Sequence, residues 1–81
     1  MENLSANFST LIMSMASSAA MSLGLAPDPH TGKIHKDKNI AKFNIDLLIM
    51  LKEKTKNNLN EEENKLITSL VSDLQVHFLK M

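Results

Sequence analysis

The chain has 81 residues, enough for one small domain, and its nine lysines balance nine acidic residues, so the formal net charge is zero. It contains no Arg, Cys, Trp or Tyr. This composition argues against a nucleic-acid-binding protein, which needs excess positive charge and stacking side chains, and it excludes disulfides, thiolate metal sites and cysteine nucleophiles. We expect a single helical domain over residues 1–81, with residues 1–6 flexible.

The first predicted helix covers residues 8–23, where apolar residues recur with the spacing of one helix face. These residues are Phe8, Leu11, Ile12, Met15, Ala19 and Leu23. Gly24 is expected to cap the helix, and Pro27 and Pro29 prevent its continuation. Residues 24–38 are therefore predicted to form a long loop.

The opposite face of this helix carries no charged residue, which is unusual for a face in contact with water. Its residues are Thr10, Met13, Ser14, Ser17, Ser18 and Met21. Small side chains four residues apart would let another backbone approach closely. We predict that this face is an interface with a second copy of the chain. The alternative is that the loop folds back over it.

The second predicted helix covers residues 39–56, with Asp37 or Asn39 as its N-cap and Asn57 in the left-handed conformation at its end. Its main apolar face is predicted to be Ile40, Phe43, Leu47, Leu48 and Leu51. Ile45 and Ile49 project onto the opposite, charged side. Two isoleucines on a polar face indicate a second contact.

The third predicted helix covers residues 61–79 and has the clearest start. Asn60 and Glu63 form a capping-box pair, and Glu61 lies four residues before Lys65. One apolar stripe consists of Leu66, Ile67, Leu70, Val71, Leu74 and Phe78. We therefore predict a surface helix with a single buried face.

Together these elements predict an all-α, three-helix domain. Three short helices cannot easily cover both faces of the first helix and the additional isoleucines of the second. A symmetric homodimer would bury these surfaces. The added burial would help the small core to offset the conformational entropy that the chain loses on folding. We expect homodimerisation to complete the fold.

Several local motifs together resemble bacterial domain-of-unknown-function family 1844. They are Phe8-Ser9, Leu23-Gly24-Leu25-Ala26-Pro27, Pro29-His30-Thr31-Gly32, Ala41, Ile45-Asp46, Leu48, Leu51, Lys54-Thr55 and Asn58-Leu59, followed by Glu62-Glu63. The family usually has Gly immediately before that Asn, where this chain has Asn57. Asn is the next best residue for a left-handed helix end, so the cap is expected to survive. The resemblance implies a small intracellular bacterial helical protein and transfers no activity.

The polar residues of the second helix form a motif that we interpret as structural: Asn44, Asp46, Lys54, Thr55 and Asn58. Asp46 follows Lys42 by four residues, which favours an intrahelical ion pair. Lys54 and Thr55 are placed for an ion pair or a contact with helix-end carbonyls. Asn44 falls within the apolar face, where it would bond its symmetry mate or, as we prefer, hydroxyls of the first helix.

Three histidines, His30, His35 and His77, raise the possibility of a metal site. Their spacing matches no recognised ligand pattern, so we expect no metal and no cofactor. Lys33, Lys36 and Lys38 form the one basic patch, and they are expected to be solvated.

These observations favour a non-enzymatic module that self-associates in the cytoplasm as a homodimer or higher oligomer and has no nucleic-acid partner. An unidentified protein is a possible further partner. Two alternatives stay open. The uncharged helix 8–26 could attach the protein to a membrane surface, although its longest apolar run, Leu11 to Met13, is too short to span a bilayer. His30, His35 and Asp46 could instead serve a metal-binding or catalytic protein.

Overall fold

The computed structural model describes residues 7–81, which form three helices and no strand. The helices are α1 (Phe8–Ser22), α2 (Lys38–Lys54) and α3 (Glu61–Leu79). The predicted all-α class is confirmed, and every helix boundary lies within two residues of its predicted position. The flexibility expected for residues 1–6 lies outside the described residues.

Helices α1 and α2 begin at residues whose side chains satisfy free backbone donors. The Oδ1 of Asn7 accepts a hydrogen bond from the Thr10 N–H over 2.8 Å. The Oδ1 of Asp37 accepts from the Ile40 N–H over 3.1 Å, so Asp37 is the N-cap of α2. Such caps typically stabilise a helix by about 1 kcal/mol.

Helix α3 begins with the predicted capping box. The Glu63 N–H donates to the side chain of Asn60 over 2.8 Å, and the Asn60 N–H donates to the side chain of Glu63 over 3.0 Å. One turn along, Glu61 pairs with Lys65 at 3.1 Å. The start of α3 is thus determined by local chemistry that is visible in the sequence.

The ends of α1 and α2 use the left-handed backbone conformation at the predicted residues. Gly24 has φ of +80°, and its N–H donates to the carbonyl of Met21 while the Leu25 N–H donates to that of Ala20. This pair of bonds is the Schellman motif that ends many helices. Asn57 has φ of +70° after α2, as expected for the residue that replaces glycine in the family motif.

The segment between α1 and α2 is tied together at its base. Leu23 and Lys36 form an isolated antiparallel bridge, and the Asp37 N–H donates to the Ser22 carbonyl over 2.9 Å. A tight turn over residues 28–33 closes the tip. The connecting segment therefore returns to the end of α1, and these contacts determine where α2 starts.

The core lies where the three helices meet, and each helix contacts both others. Its buried residues are Ile12, Ala16, Ala19, Leu23, Ala41, Ile45, Leu48, Ile67, Val71 and Leu74. The Lys38 ammonium lies 5.5 Å from the centroid of the Phe78 ring, which places the start of α2 beside the end of α3. The Cα atoms span only 15 Å in the shortest direction, the thickness of two packed helices.

The buried face of α2 matches the predicted one only in part: Leu48 is completely buried and Leu51 packs against the core, as predicted. Ile45 is only 4% exposed and Ile49 is half-buried against the core, whereas Ile40 and Phe43 lie on the outside. Ala41 is completely buried and joins Ile45 and Leu48 in the core, so the side of α2 that carries these three residues faces the other helices. The expectation that Ile45 and Ile49 form a second, external contact is corrected accordingly.

One residue of α1 also departs from its expected position. Leu11 is 48% exposed, and Ala16 takes a place in the buried face instead. The predicted stripe of α3 is buried or half-buried throughout, as expected. No helix within residues 7–81 is sufficiently long and apolar to cross a bilayer.

Candidate functional site

The outer face of α1 is open to solvent and carries no charge. Met13, Ser14 and Ser17 are exposed, while the other predicted interface residues of this helix, Thr10, Ser18 and Met21, are half-buried. A shallow recess here is lined by Asn7, Ser9, Thr10, Met13, Ser14 and Ser17. The structure thus brings most of the predicted α1 residues onto one surface.

The segment between α1 and α2 does not cover this surface. Residues 29–38 are all exposed, and the side chain of Lys36 packs against Gly24 rather than against the middle of α1. Ser14 and Ser17 remain accessible. The sequence offers two explanations for the uncharged face of α1, a second copy of the chain or a loop folded back over it. The structure does not show the folded-back loop.

A second outward surface lies on α2, opposite the core. Ile40, Phe43 and Met50 are 50%, 62% and 42% exposed, and Leu47 between them is half-buried. We call these four residues the outer stripe of α2. Their spacing of three, four and three residues is the seam of a coiled coil. The sequence pattern predicts that these residues face the core, and the structure places Ile40, Phe43 and Met50 on the outside.

The polar motif of α2 is held by local bonds. The Lys42 ammonium contacts the Asp46 carboxylate at 2.8 Å on the surface. The Thr55 hydroxyl donates to the Leu51 carbonyl over 2.6 Å at the end of the helix. Lys54 and Asn58 are exposed, and the Asn58 N–H donates to the Thr55 carbonyl over 2.8 Å.

Asn44 makes a different bond from the one preferred in the sequence analysis. Its Nδ2 donates over 3.1 Å to the carbonyl of Ile40, four residues earlier in the same helix, and not to a serine of α1. The reason is the orientation of α2: Asn44 lies at the border of the buried face and is half-buried there. It therefore sits beside the outer stripe of α2 rather than inside the core.

The histidines and the basic patch lie on the surface. His30, His35 and His77 are exposed, and within residues 7–81 no three His, Cys, Asp or Glu side chains are grouped so that they could hold a metal. Lys33 is exposed as well. Lys36 and Lys38 have intramolecular contacts, Lys36 with Gly24 and Lys38 with Phe78.

A crevice of about 710 Å³ lies between the end of α2 and the start of α3, and the sequence pattern does not predict it. Its lining is rich in amides and charges: Ile49, Lys52, Glu53, Thr55, Lys56, Asn57, Leu59, Asn60, Glu61, Asn64, Val71 and Gln75. The asparagines after α2 are the signal that could have indicated it. Its one hydroxyl, on Thr55, donates a hydrogen bond to the Leu51 carbonyl.

Comparison with known proteins identifies one similarity. The model of a domain of unknown function, DUF1844, matches residues 5–80, which is nearly the whole chain. No curated protein and no solved structure matches the chain. The family that the motifs indicated is therefore confirmed, and the match adds no activity.

Proposed function

We propose that this chain, which belongs to the DUF1844 family, is a non-enzymatic helical module that acts by binding protein surfaces, above all a second copy of itself. One observation carries the proposal: within residues 7–81, ten large apolar side chains are more than a third exposed. They are Leu11, Met13, Leu25, Ile34, Ile40, Phe43, Met50, Val76, Leu79 and Met81. The buried core also has ten residues, and three of those are alanines.

This balance matters because the molecule is small. A single core in a chain of about this size rarely supplies much more than about 3–5 kcal/mol of stability, and no disulfide can add to it. The molecule is only two helices thick, so apolar residues on outward helix faces cannot be buried within one copy. Association would remove them from water at about 25 cal/mol per Å².

The polar residues give little support to catalysis. Asp46 is paired with Lys42, and the Thr55 hydroxyl is bonded to the Leu51 carbonyl. The Lys42–Asp46 pair is exposed at the surface, where no cleft surrounds it. These contacts give Asp46 and Thr55 of the motif structural roles that require no reaction.

Membrane attachment through α1 has weaker support. The side of this helix opposite the core presents Thr10, Ser14 and Ser17, whose hydroxyls gain nothing from an acyl-chain environment. Co-sedimentation with anionic vesicles tests this alternative, and retention of the protein on them would favour it over self-association.

Sedimentation velocity over about 1 to 100 µM tests the proposal, a range typical of weak specific dimers. We expect the mass to rise with concentration from 9.0 kDa toward twice that value. A mass of 9.0 kDa at every concentration would contradict self-association.

A further inference from the structure

We propose that the outer stripe of α2 is the dimerisation surface, on which two copies pack their α2 helices antiparallel about a two-fold axis at the level of Ile45. This inference rests on the proposed self-association and adds its surface, orientation and register. It also differs from the sequence-based prediction, which placed the contact on the outer face of α1 and on Ile45 and Ile49 of α2.

The first argument is the shape of the stripe. Ile40, Phe43, Leu47 and Met50 form a continuous seam over three helical turns, and three of the four are at least 42% exposed. In a helix pair, side chains at this spacing insert between those of the facing helix. No other outward helix face among residues 7–81 carries large apolar side chains at this regular spacing.

The second argument is self-complementarity. Ile40 and Met50 are equally distant from position 45, and so are Phe43 and Leu47. When the helix is reversed and laid on itself, Ile40 faces Met50 of the second copy and Phe43 faces Leu47. A two-fold interface requires this reciprocity.

The third argument is register. A shift of one heptad in one direction would set Phe43 against Lys54 of the second copy. The opposite shift would set Leu47 and Met50 beyond the start of α2 at Lys38 of the second copy, where no helical residue faces them. One shift sets an apolar residue against an ammonium group and the other removes half of the contacts of the stripe, so one antiparallel register is favoured over its neighbours.

The residues beside the stripe are compatible with this arrangement. On one edge, Lys42 and Asp46 already neutralise each other at 2.8 Å. On the other edge, half-buried Asn44 lies close to the proposed axis, with its Nδ2 bonded to the Ile40 carbonyl. In the dimer the two Asn44 amides would lie side by side, where a polar pair can specify register.

The available area sets the strength of the dimer. With about 200 Å² for a large side chain, the exposed parts of Ile40, Phe43 and Met50 amount to roughly 300 Å² per copy. This is less than the roughly 800 Å² per partner of a standard stable interface. We therefore expect a dissociation constant in about the micromolar range, as for weak specific contacts.

Charge exchange tests the surface and the register together. Ile40→Glu places an acid in the first turn of α2 and Met50→Lys places a base near its end, so both changes suit the helix dipole and leave the core intact. We expect each variant to dissociate at least about tenfold more readily than the unmodified chain, because a charge replaces an apolar contact. A 1:1 mixture should recover a heterodimer, since Glu at 40 then faces Lys at 50.

Ser17→Glu is the matched control, because it puts the same charge on the exposed outer face of α1. It should dimerise like the unmodified chain, and circular dichroism should show equal helix content in all variants. Dissociation by Ser17→Glu but not by the α2 variants would keep self-association and overturn the α2 surface.

Monomeric α2 variants whose mixture does not recover the dimer would overturn the antiparallel register. Variants that all dimerise like the unmodified chain would overturn the α2 surface. A chain that stays monomeric without any substitution would remove the proposed function itself.

Discussion

The aliphatic side chain of Lys36 lies so close to the backbone of Gly24 that a β-carbon added at Gly24 would come within 2.7 Å of the Lys36 Cγ. Gly24 also has φ of +80°, where other residues are strained. The contact stands next to the bridge between Leu23 and Lys36, which returns the chain to the end of α1. Glycine is thus favoured at position 24 for two reasons, the left-handed backbone angle and the close contact with Lys36.

We expect Gly24→Ala to lower the free energy of unfolding by about 2–3 kcal/mol, the sum of left-handed strain and the displacement of Lys36. Gly32→Ala is the control, because Gly32 has φ of +70° but nothing within 4 Å of an added β-carbon. It should cost only about 1 kcal/mol. Urea unfolding at one protein concentration measures both.

The two causes at Gly24 can be separated. In a chain that carries Lys36→Ala, Gly24→Ala should cost no more than Gly32→Ala does, because only the strain remains. If the cost of Gly24→Ala is the same with and without Lys36, the close contact is not the reason that this position needs glycine.

The capping box of α3 predicts that removing the Asn60 side chain lowers the stability of the protein. Asn60→Ala removes the acceptor of the Glu63 N–H, and we expect it to lower stability by about 1 kcal/mol. Glu62→Ala removes an exposed acid from the same first turn but no cap bond, so it should cost only about 0.3 kcal/mol. Equal losses in thermal unfolding would mean that charge, and not capping, stabilises this helix start.

The hydrogen bond from the Thr55 hydroxyl predicts that two substitutions at this position differ in their effect on the free energy of unfolding. Thr55→Val keeps the shape but removes the donor to the Leu51 carbonyl, and we expect a loss of about 1 kcal/mol. Thr55→Ser keeps the donor and should cost less. Urea unfolding of the two variants measures the difference, and a larger loss for the serine variant would assign the role of Thr55 to its methyl group.

The features that could be predicted from sequence are those that depend on near neighbours. Asn60 and Glu63 are three residues apart, and Lys42 and Asp46 are four apart. The end of α2 depends only on the left-handed backbone conformation of Asn57. Each is determined by chemistry within one or two turns, so the pattern identifies it before any packing is known.

The buried face of α2 could not be predicted in the same way, because the helix carries large apolar side chains on two sides, Ile40 and Phe43 on one and Ile45 and Ile49 on the other. Hydrophobicity favours the side with Ile40 and Phe43, but packing against two other helices selects the side with Ala41. Alanine contributes little to a hydrophobic pattern, although it allows helices to pack closely, so the pattern does not identify the side with Ala41. The outer stripe of α2, the site of our proposal, was misplaced for the same reason.

Two isoleucine substitutions test the orientation of α2 directly. Ile45→Ala should lower the free energy of unfolding by about 2–4 kcal/mol, because it opens a cavity at a residue that is only 4% exposed. Ile34→Ala makes the same chemical change at a side chain that is 61% exposed and should cost less than about 0.5 kcal/mol. Both are measured by urea unfolding at a concentration where the protein is monomeric, so that association does not contribute. A small loss for Ile45→Ala would instead place Ile45 on the outside of the helix, as its charged neighbours in sequence suggested.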